Sequence, residues 1–456
     1  MLSFLSSSGG GAVHYWMATA IFVVAFAVIV SEKVHKTKIA MFGAALTIVL
    51  SILTQEDAFH STRFGIDYNV VFLLVSMMIL VNIIGRTGVF EWAAIKAAKL
   101  ARGRPLPIMV LFCLLTAVAS ALLDNVTTVL LVVPVTLLIC DELDLPPIPF
   151  LLAETMASNI GGTATLIGDP PNILIASRAN LDFMQFLGHL APAVCVMMLA
   201  FVVCLRVFYG SLTVDEGRRR HVLAMDERKM IKDRPLAAKS LIVLALTLVG
   251  FGLHGALHLE PATVALMGAS TLLLISRGDP HRTLAEVEWS TIFFFIGLFI
   301  IIGGIVKVGL ISDVSKLVID YTDPTATSME KTAFTLLWAS AGLSAVVDNI
   351  PYVATMSPLV LDMANTVLHG GAADASNLPL ETLHAPVLQP VWWSLALGAC
   401  LGGNATAIGA SANVVVCGIA SRSGHPISFG RFLKFGLPVM LLTLVISHIY
   451  VKLRYF

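Results

Sequence analysis

Long apolar runs separated by short polar segments occupy nearly the whole chain and predict membrane-spanning helices. A helix needs about 20 apolar residues to cross a bilayer, and most of the runs approach that length. The predicted spans cover residues 15–31, 38–54, 67–85, 150–176, 187–208, 240–257, 262–276, 289–306, 391–416 and 435–452. The pattern therefore predicts an all-α polytopic membrane protein.

Two further apolar stretches, 107–140 and 332–365, are interrupted near the middle by the same polar pattern, SxxxDN. Two half-length helices that meet at a polar tip account for this pattern better than one helix crossing the bilayer. We therefore predict a re-entrant hairpin for each stretch. Segments 88–101 and 309–321 have the pattern of short amphipathic helices, which we expect to lie along opposite membrane faces.

The two halves of the chain repeat each other. Four segments match in the same order, 221–246 residues apart: DYNVVFLLVSMMILVNIIGRTGVF from Asp67 with EWSTIFFFIGLFIIIGGIVKVGLI from Glu288, SALLDNVTTVLLVVPV from Ser120 with SAVVDNIPYVATMSPL from Ser344, GGTATLIGDPPN from Gly161 with GGNATAIGASAN from Gly402, and FMQFLGHLAP from Phe183 with FGRFLKFGLP from Phe429. Each half holds five spans and one hairpin, and an odd number of spans inverts the second copy. We predict inverted repeats over 1–208 and 240–456, joined by a cytoplasmic linker at 209–239. Such repeats are typical of secondary transporters.

The composition supports this architecture, and the distribution of Lys and Arg predicts how the chain is oriented in the membrane. The 456 residues are 57% hydrophobic and 13% charged, which excludes an ordinary soluble protein. If the chain begins outside, 22 of its 29 Lys and Arg residues face the cytoplasm, as the positive-inside rule requires. The inside segments are 32–38, 86–106, 141–149, 206–239, 277–287 and 417–434. We expect an inner-membrane protein with both termini outside and, because no basic residue precedes the first span, no cleavable signal peptide.

The basic run of the linker, between Arg218 and Arg234, allows two interpretations. A nucleic-acid patch would use such a run, but a cytoplasmic connector beside anionic lipid accounts for it more simply. We therefore expect the lipid bilayer, and no nucleic acid, as a partner.

The predicted hairpin tips carry acidic, amide and hydroxyl side chains at membrane depth. They are Asp124, Asn125 and Thr127 in the first half, and Asp348 and Asn349 in the second. A carboxylate in the bilayer is costly, so such residues usually bind a solute or an ion, or carry protons. The alternative is structural, with each Asp capping the helix that returns from the tip. Asn offers both an acceptor and donors, which suits an oxygen-rich cage or a hydroxylated solute.

A second polar interruption lies within the predicted spans 150–176 and 391–416. Paired glycines are expected to let each helix unwind and to free backbone groups for a solute, the tips or water. Hydroxyl and amide side chains accompany the glycines. The candidate binding residues here are Asn159, Gly161, Gly162, Thr163, Thr165, Gly402, Gly403, Asn404, Thr406 and Ser411.

Three further positions bear on the chemistry. Asp169, whose counterpart is Ala410, is a candidate proton or cation carrier, or else a turn residue before two prolines. Glu154 is a second candidate proton carrier, or else a side chain that faces the cytoplasm. Cys400, whose counterpart is Asn159, is either a ligand for a thiophilic metalloid or a small apolar residue.

The segments SALLDNVTTVLLVVPV and SNIGGTATLIGDPPN closely resemble the arsenite permease and pink-eyed dilution protein (P protein) group of the ion transporter superfamily. The resemblance covers residues 15–450 approximately. It implies a scaffold domain, a mobile transport domain formed by the hairpins and unwound helices, elevator-type movement and a homodimer. The tips read Asp-Asn-Val and Asp-Asn-Ile instead of the Ser-Asn-Thr of the dicarboxylate carriers, which argues against citrate or succinate.

From these features we predict a proton-coupled efflux carrier for arsenite or antimonite that needs no cofactor. No Lys or Arg lies within either break, so the site favours a cation, a proton or a neutral hydroxylated solute over a multiply charged anion. The asparagines and hydroxyls would hold the solute while Asp124, Asp348, Asp169 or Glu154 exchanges the proton. A sodium–proton antiporter that uses the same carboxylates is the alternative, and a channel-like anion pore is a third class.

Enzymatic activity is not expected. The histidines are scattered, and no nucleophile–base spacing or metal-binding motif is present. Because the chain has no Walker A sequence, an ATP-driven mode would need a separate ATPase subunit as a partner.

Overall fold

The computed structural model describes residues 10–31, 33–61, 63–210, 212–375 and 377–456. Within these ranges the chain forms 22 α-helices and no β-strand, which confirms the all-α prediction. Residues 1–9, which bear on the predicted absence of a signal peptide, lie outside the described ranges.

The helices follow the predicted spans closely. The first half contains α1 (Gly10–Ser31), α2 (Lys36–Val49), α3 (Gln55–Phe59), α4 (Tyr68–Arg86), α5 (Val89–Leu100), α6 (Pro105–Leu122), α7 (Asn125–Leu143), α8 (Pro147–Gly162), α9 (Pro170–Ala179) and α10 (Phe183–Tyr209). The linker contains α11 (Glu216–Ala224). The second half contains α12 (Arg234–Leu253), α13 (Pro261–Ser276), α14 (Pro280–Ala285), α15 (Trp289–Lys307), α16 (Leu310–Thr322), α17 (Glu330–Ser344), α18 (Asn349–His369), α19 (Leu380–Leu383), α20 (Gln389–Gly402), α21 (Ser411–Arg422) and α22 (Phe429–Tyr455).

Eight helices of the described chain are long and apolar enough to cross a membrane: α1, α4, α6, α7, α10, α12, α15 and α22. Two of them, α6 and α7, are the arms of the first predicted hairpin. With 18 and 19 residues, α6 and α7 are each about 27 Å long at 1.5 Å per residue. The apolar run simply extends further on both sides of the tip than predicted.

Two shorter helices match the segments predicted to be amphipathic, and each begins at a glycine. Gly88 precedes α5 with φ of 80°, and Gly309 precedes α16 with φ of 89°. Only glycine adopts this left-handed conformation without strain. At Gly88 a Cβ atom would also lie 1.8 Å from the carbonyl oxygen of Met230 in the linker.

The broken helices α8 and α20 form the centre of the molecule. Residues 150–162 and 390–402 are buried without exception. The arm α6 packs against α8 in the first half, and the arm α17 packs against α20 in the second. The returning arms cross between halves, because α7 contacts α21 and α18 contacts α9. Both tips are therefore brought to the same central region.

Ion pairs show how the matched helices α4 and α15 lie relative to each other. Arg86 at the end of α4 pairs with Glu286, just before α15, at 2.7 Å. Lys307 at the end of α15 pairs with Asp57, in α3 ahead of α4, also at 2.7 Å. The end of each helix therefore lies near the start of the other, as in an antiparallel pair.

The linker is more ordered than a simple connector. Helix α11 packs on α5 and α7 and buries Val222. Part of the basic run is held by the protein, since Arg218 pairs with Asp144 at 3.2 Å and Nε of Arg219 donates to the carbonyl oxygen of Arg102 at 2.6 Å.

Candidate functional site

Two unwound segments lie beside the hairpin tips. We call residues 163–169 the first break and residues 406–410 the second break. The hydroxyl of Thr165 donates to the carbonyl oxygen of Ala121 at 2.5 Å, and the hydroxyl of Thr406 donates to that of Ala345 at 2.6 Å. These two predicted solute ligands therefore fasten each break to its own hairpin.

Asn172 and Asn413 stabilise the breaks, and the sequence predictions did not include them. The amide of Asn172 donates to the carbonyl oxygen of Thr165 at 2.9 Å. The amide of Asn413 donates to the carbonyl oxygens of Gly403 and Thr406 at 2.7 and 2.8 Å. Their identical places in the two repeats were the signal that could have identified them.

The glycine pairs have a different role from the predicted one. Helix α8 continues through Gly162 and α20 through Gly402, so Gly161, Gly162 and Gly402 stay helical, and only Gly403 lies in a short 3-10 turn after α20. A Cβ atom on Gly161 would lie 2.2 Å from the carbonyl oxygen of Ala117, and one on Gly402 would lie 2.6 Å from Ala341. The glycines allow the broken helices to pack directly against the hairpin backbone, and the unwinding follows them.

Four asparagines from both halves form an amide cluster, which we define as Asn125, Asn159, Asn404 and Asn413. The amide nitrogen of Asn159 donates to Asn404 at 3.0 Å and to Asn413 at 2.9 Å, and its oxygen accepts from Asn125 at 3.3 Å. The four residues are at most 2% exposed. Two of their buried polar atoms, Oδ1 of Asn125 and Nδ2 of Asn404, have no partner among the described residues. The amide cluster therefore retains one acceptor and one donor for a small polar solute.

Asp169 lies next to the amide cluster and is directed at the second tip. Its carboxylate accepts from the amide of Asn349 at 3.3 and 3.4 Å and also interacts with Asn125 and Cys400. It occupies the N-cap position of α9, but its side chain does not cap that helix. A role confined to the turn does not account for a carboxylate that is 1% exposed and reaches the opposite repeat.

Cys400 is also fully buried and lies beside Asp169. Its thiol donates to Oδ1 of Asn172 at 3.3 Å. Thr163, predicted as a solute ligand, donates within its own helix to the carbonyl oxygen of Asn159 at 2.8 Å. Among the described residues no group of three His, Cys, Asp or Glu side chains is arranged to hold a metal ion.

The first tip satisfies its carboxylate locally. Asp124 accepts from the backbone N–H of Thr127 at 2.8 Å and from the hydroxyl of the same residue at 2.5 Å. This is the N-cap arrangement that the structural interpretation predicted. Asp124 is 8% exposed.

The second tip uses a distant lysine. Asp348 accepts from the backbone N–H of Ile350 at 3.2 Å, from Nζ of Lys36 at 2.5 Å and from the hydroxyl of Ser411 at 3.1 Å. Lys36 also donates to Ser411 at 2.9 Å and lies 4.9 Å from the ring centroid of Phe294. Sequence reasoning placed no cation in the site, and the fold brings one there from the start of α2.

A cavity of about 460 Å³ reaches this second tip. Its polar lining includes Lys36, Glu288, Asp348 and Ser411, and its apolar lining includes Val126 beside the first tip. The cavity opens on the side where α2 and α15 begin. The cavity therefore brings the second tip and Val126, beside the first tip, to a common open space.

Glu154 lies inside the first half and does not face the cytoplasm. It is 1% exposed, and its Oε1 accepts from the hydroxyl of Thr136 at 2.6 Å. Its Oε2 has no partner among the described residues. Glu154 therefore remains a candidate proton carrier, buried between α7 and α8. The alternative, in which its side chain faces solvent, is excluded.

Comparisons with known proteins identify a family and a fold. A family model described as a citrate transporter matches residues 26–398. A Mycobacterium tuberculosis protein named as an uncharacterized transporter is 48% identical over 440 residues, covering 96% of this chain and 98% of the relative. The Homo sapiens P protein is 33% identical over 511 residues, covering 95% of this chain and 59% of that longer protein. The crystal structure of the Alcanivorax borkumensis YdaH transporter has a similar fold, with a TM-score of 0.56 at 12% identity over 97% of each chain.

Proposed function

The chain belongs to the citrate transporter family, and from that premise we propose that it is a proton-coupled efflux carrier for arsenite or antimonite. The family makes it a multi-pass membrane transporter and not an enzyme. The similarity to P protein confirms the pink-eyed dilution part of the predicted resemblance. The substrate, the coupling ion and the inner-membrane orientation with both termini outside belong to the proposal.

Alternating access by elevator-type movement is part of the proposal, with repeats at 1–208 and 240–456. The antiparallel ends of α4 and α15 support an inverted repeat, because these helices come from matching segments. The fastening of each break to its own hairpin, by Thr165 and by Thr406, supports two movable units of the same design. The cavity at the second tip then corresponds to a conformation open on one side.

The observation that carries the substrate proposal is the amide cluster with its two unused polar atoms. A neutral trihydroxide needs both donors and acceptors, and Asn125 and Asn404 offer one of each at fully buried positions. Asp169 lies within reach of Asn125 and supplies a proton acceptor beside them. A solute that lacked hydroxyls would leave these groups unpaired, which costs about 1–3 kcal/mol for each buried polar group.

The charges around the tips argue against a multiply charged anion. Asp124, Asp169, Asp348 and Glu288 contribute four carboxyl groups, and Lys36 is already paired with Asp348. A tricarboxylate would meet this acidic surface without a free cation. The name of the family mentions citrate, so citrate is nevertheless one of the solutes to be compared.

Protonation provides the coupling in this proposal. Asp348 at the cavity and Asp169 at the amide cluster are joined through Asn349, which follows Asp348 in the chain and donates to Asp169. A proton that neutralises Asp348 weakens its attraction to Lys36 on α2. Release of this contact would free the second tip to move.

A sodium–proton antiporter is the second candidate, and the oxygen-rich surroundings of Asp169 favour it. Carboxylate and amide oxygens are ligands for a hard cation, and the unused oxygen of Asn125 lies beside this carboxylate. Dimer formation and an ATPase partner remain predictions, because contacts within a single chain do not bear on either.

The test is transport into everted membrane vesicles that contain the protein, under an imposed pH gradient. Arsenite, antimonite, sodium and citrate are offered separately. We expect arsenite to accumulate and to leave when the gradient is collapsed. Accumulation of sodium without arsenite would support the antiporter instead, and gradient-driven citrate uptake alone would contradict the argument from charge.

Two variants make the experiment specific. Asp169→Asn removes the charge at the amide cluster and is expected to abolish arsenite accumulation. Asp67→Asn is the matched control, because Asp67 caps α4 by accepting from the N–H of Val70 at 3.3 Å. Equal transport by both variants would show that Asp169 has no part in coupling.

A further inference from the structure

A second cavity lies on the surface of the protein, away from both tips. It has a volume of about 500 Å³ and is formed by the start of α8, the end of α10 and the first half of α22. Twelve of its fourteen lining residues are apolar or aromatic, and the other two are Arg431 and Lys434. We refer to this cavity as the basic groove.

The walls of the basic groove suit a hydrocarbon chain. Phe201, Leu205 and Leu152 form its floor and are buried, whereas Phe208 at its edge is 68% exposed. Helix α10 carries further exposed apolar side chains beside the groove, among them Val207. In a membrane protein such a surface faces lipid tails, so the groove opens sideways into the bilayer.

The two cations lie at one end of the groove. Arg431 and Lys434 are three residues apart on α22 and therefore point to the same side of the helix. Both are exposed, and neither forms an ion pair with a carboxylate of the described residues. Some other exposed cations do have such partners, as Arg218 has Asp144. The groove thus has a free positive charge of two beside an apolar channel.

The cations lie at the end of the groove where α22 begins and α10 ends. Arg431 lies two residues after the start of α22, and Tyr209 is the last residue of α10. The Tyr209 ring lies 6.1 Å from the ring of Phe435 and closes the apolar part at this level. The adjoining segments 206–239 and 417–434 are those that the distribution of charge places on the cytoplasmic side.

From this arrangement we infer that the basic groove binds one anionic phospholipid of the inner leaflet. One acyl chain occupies the apolar channel, and the phosphate lies between Arg431 and Lys434. Basic pockets between helices on the cytoplasmic side are suited to anionic head groups, with about a fivefold gain in affinity for each cation. This inference does not depend on the identity of the transported solute.

The inference is tested with the full-length protein in detergent micelles and a photoactivatable phosphatidylglycerol. After illumination, labelled peptides are identified by mass spectrometry, and affinity is measured by titration. We expect labelling of α10 and α22, competition by unlabelled phosphatidylglycerol, and little competition by phosphatidylcholine. The variant Arg431→Gln/Lys434→Gln should bind about 30-fold more weakly.

The matched control is Arg220→Gln/Lys229→Gln, which removes two exposed linker cations that lie outside the groove. It should bind the probe within about twofold of the unmodified protein. A second variant, Cys204→Trp, fills the apolar wall without a change of charge and should also weaken binding. Thermal unfolding in detergent shows whether each variant is folded.

Several results would overturn the inference. Equal weakening in the groove variant and the linker control would mean a general attraction to charge. Competition by inorganic phosphate as strong as that by the lipid would mean that the cations bind an ion and the apolar channel has no role. Cross-links that join two copies of α22 and exclude the probe would identify the groove as a contact between protein chains.

Discussion

The two hairpin tips have the same sequence pattern but hold their carboxylates in different ways. Asp124 accepts two hydrogen bonds from Thr127 in its own hairpin. The counterpart of Thr127 is Pro351, which has neither an N–H nor a hydroxyl to offer. Asp348 accepts the N–H of Ile350 in its own hairpin and bonds in addition to Lys36 and Ser411, which belong to other elements. One substitution between the repeats changes a self-contained cap into a connection between separate parts of the molecule.

This difference suggests a division of work between the repeats. The first tip is fixed by local bonds, so its carboxylate serves mainly to shape the hairpin. The second tip depends on a contact with α2, so a change of its charge alters how the hairpin is attached to the helices outside it. The first half contributes Asp169 to the second tip, through Asn349. The first half thus supplies two contacts of the second tip, from Lys36 to Asp348 and from Asp169 to Asn349.

Neutralising each carboxylate in turn should produce the largest contrast. Asp348→Asn is expected to lower proton-driven solute uptake about 100-fold, because Lys36 then lies in a half-buried place without its counter-ion. Asp124→Asn should retain the cap, since Asn caps helices about as well as Asp, and should cost about 1 kcal/mol of stability at most. Uptake into vesicles and thermal unfolding measure the two effects. Equal losses of uptake in both variants would remove the distinction between the tips.

Removing the lysine should have the next largest effect. Lys36→Met leaves Asp348 without its ion pair and is expected to lower uptake about tenfold, whereas Lys38→Met, two residues away in the same helix, should change it little. The double variant Lys36→Met/Asp348→Asn should be no worse than Asp348→Asn alone, because the two residues act together. Additive losses in the double variant would show that they act independently.

A substitution can also make the second tip resemble the first. Pro351→Thr restores an N–H and a hydroxyl at the position equivalent to Thr127, so Asp348 can accept from both as Asp124 does. We expect a hairpin about 1 kcal/mol more stable and uptake reduced about threefold, because the cap competes with Lys36 for the carboxylate. The reverse change, Thr127→Pro in the first tip, is the companion variant and should destabilise the hairpin. Faster uptake by Pro351→Thr would contradict the proposed role of the Lys36 contact.

The smallest effect concerns the ion pairs at the ends of α4 and α15. The hydrogen bond from Lys307 and that from Thr54 lower the pKa of Asp57 from 3.8 to about 2. Because the pKa is lower in the folded protein, the pair stabilises it above about pH 4, and this contribution is lost as the pH falls towards 2. Lys307→Met should therefore lower the unfolding temperature at pH 7 by a few degrees and have less effect at pH 3. A larger effect at pH 3 than at pH 7 would show that the assigned direction is wrong.

The sequence was sufficient to predict the helices and the hairpins, since apolar runs of nearly 20 residues seldom form anything except membrane helices. It also identified Asp124, Asp348 and Asp169 as candidates, because charges are rare at membrane depth. Some of the predicted hydroxyl ligands also have structural partners. Thr165 and Thr406 hold backbone carbonyls that unwinding exposes, and no local pattern distinguishes such a structural hydroxyl from one that is free to bind a solute.

The contact between Lys36 and Asp348 could not be predicted from the sequence. The two residues are 312 positions apart, and Lys36 lies in a short basic segment that the positive-inside rule already accounts for. Asn172 and Asn413 were overlooked for a different reason. They stand at the ends of recognisable motifs, and only the folded geometry shows that their side chains reach back over seven to ten residues.

The most direct measurement of the central claim is proton release when arsenite is added to the purified protein in weakly buffered detergent solution near neutral pH. The solute is neutral there, so any protons that appear come from the protein. The account predicts stoichiometric release by the unmodified protein and by Asp124→Asn, and none by Asp169→Asn or Asp348→Asn. Arsenite binding without proton release in the unmodified protein, or no binding at all, would contradict the proposal that solute and proton are exchanged at the tips.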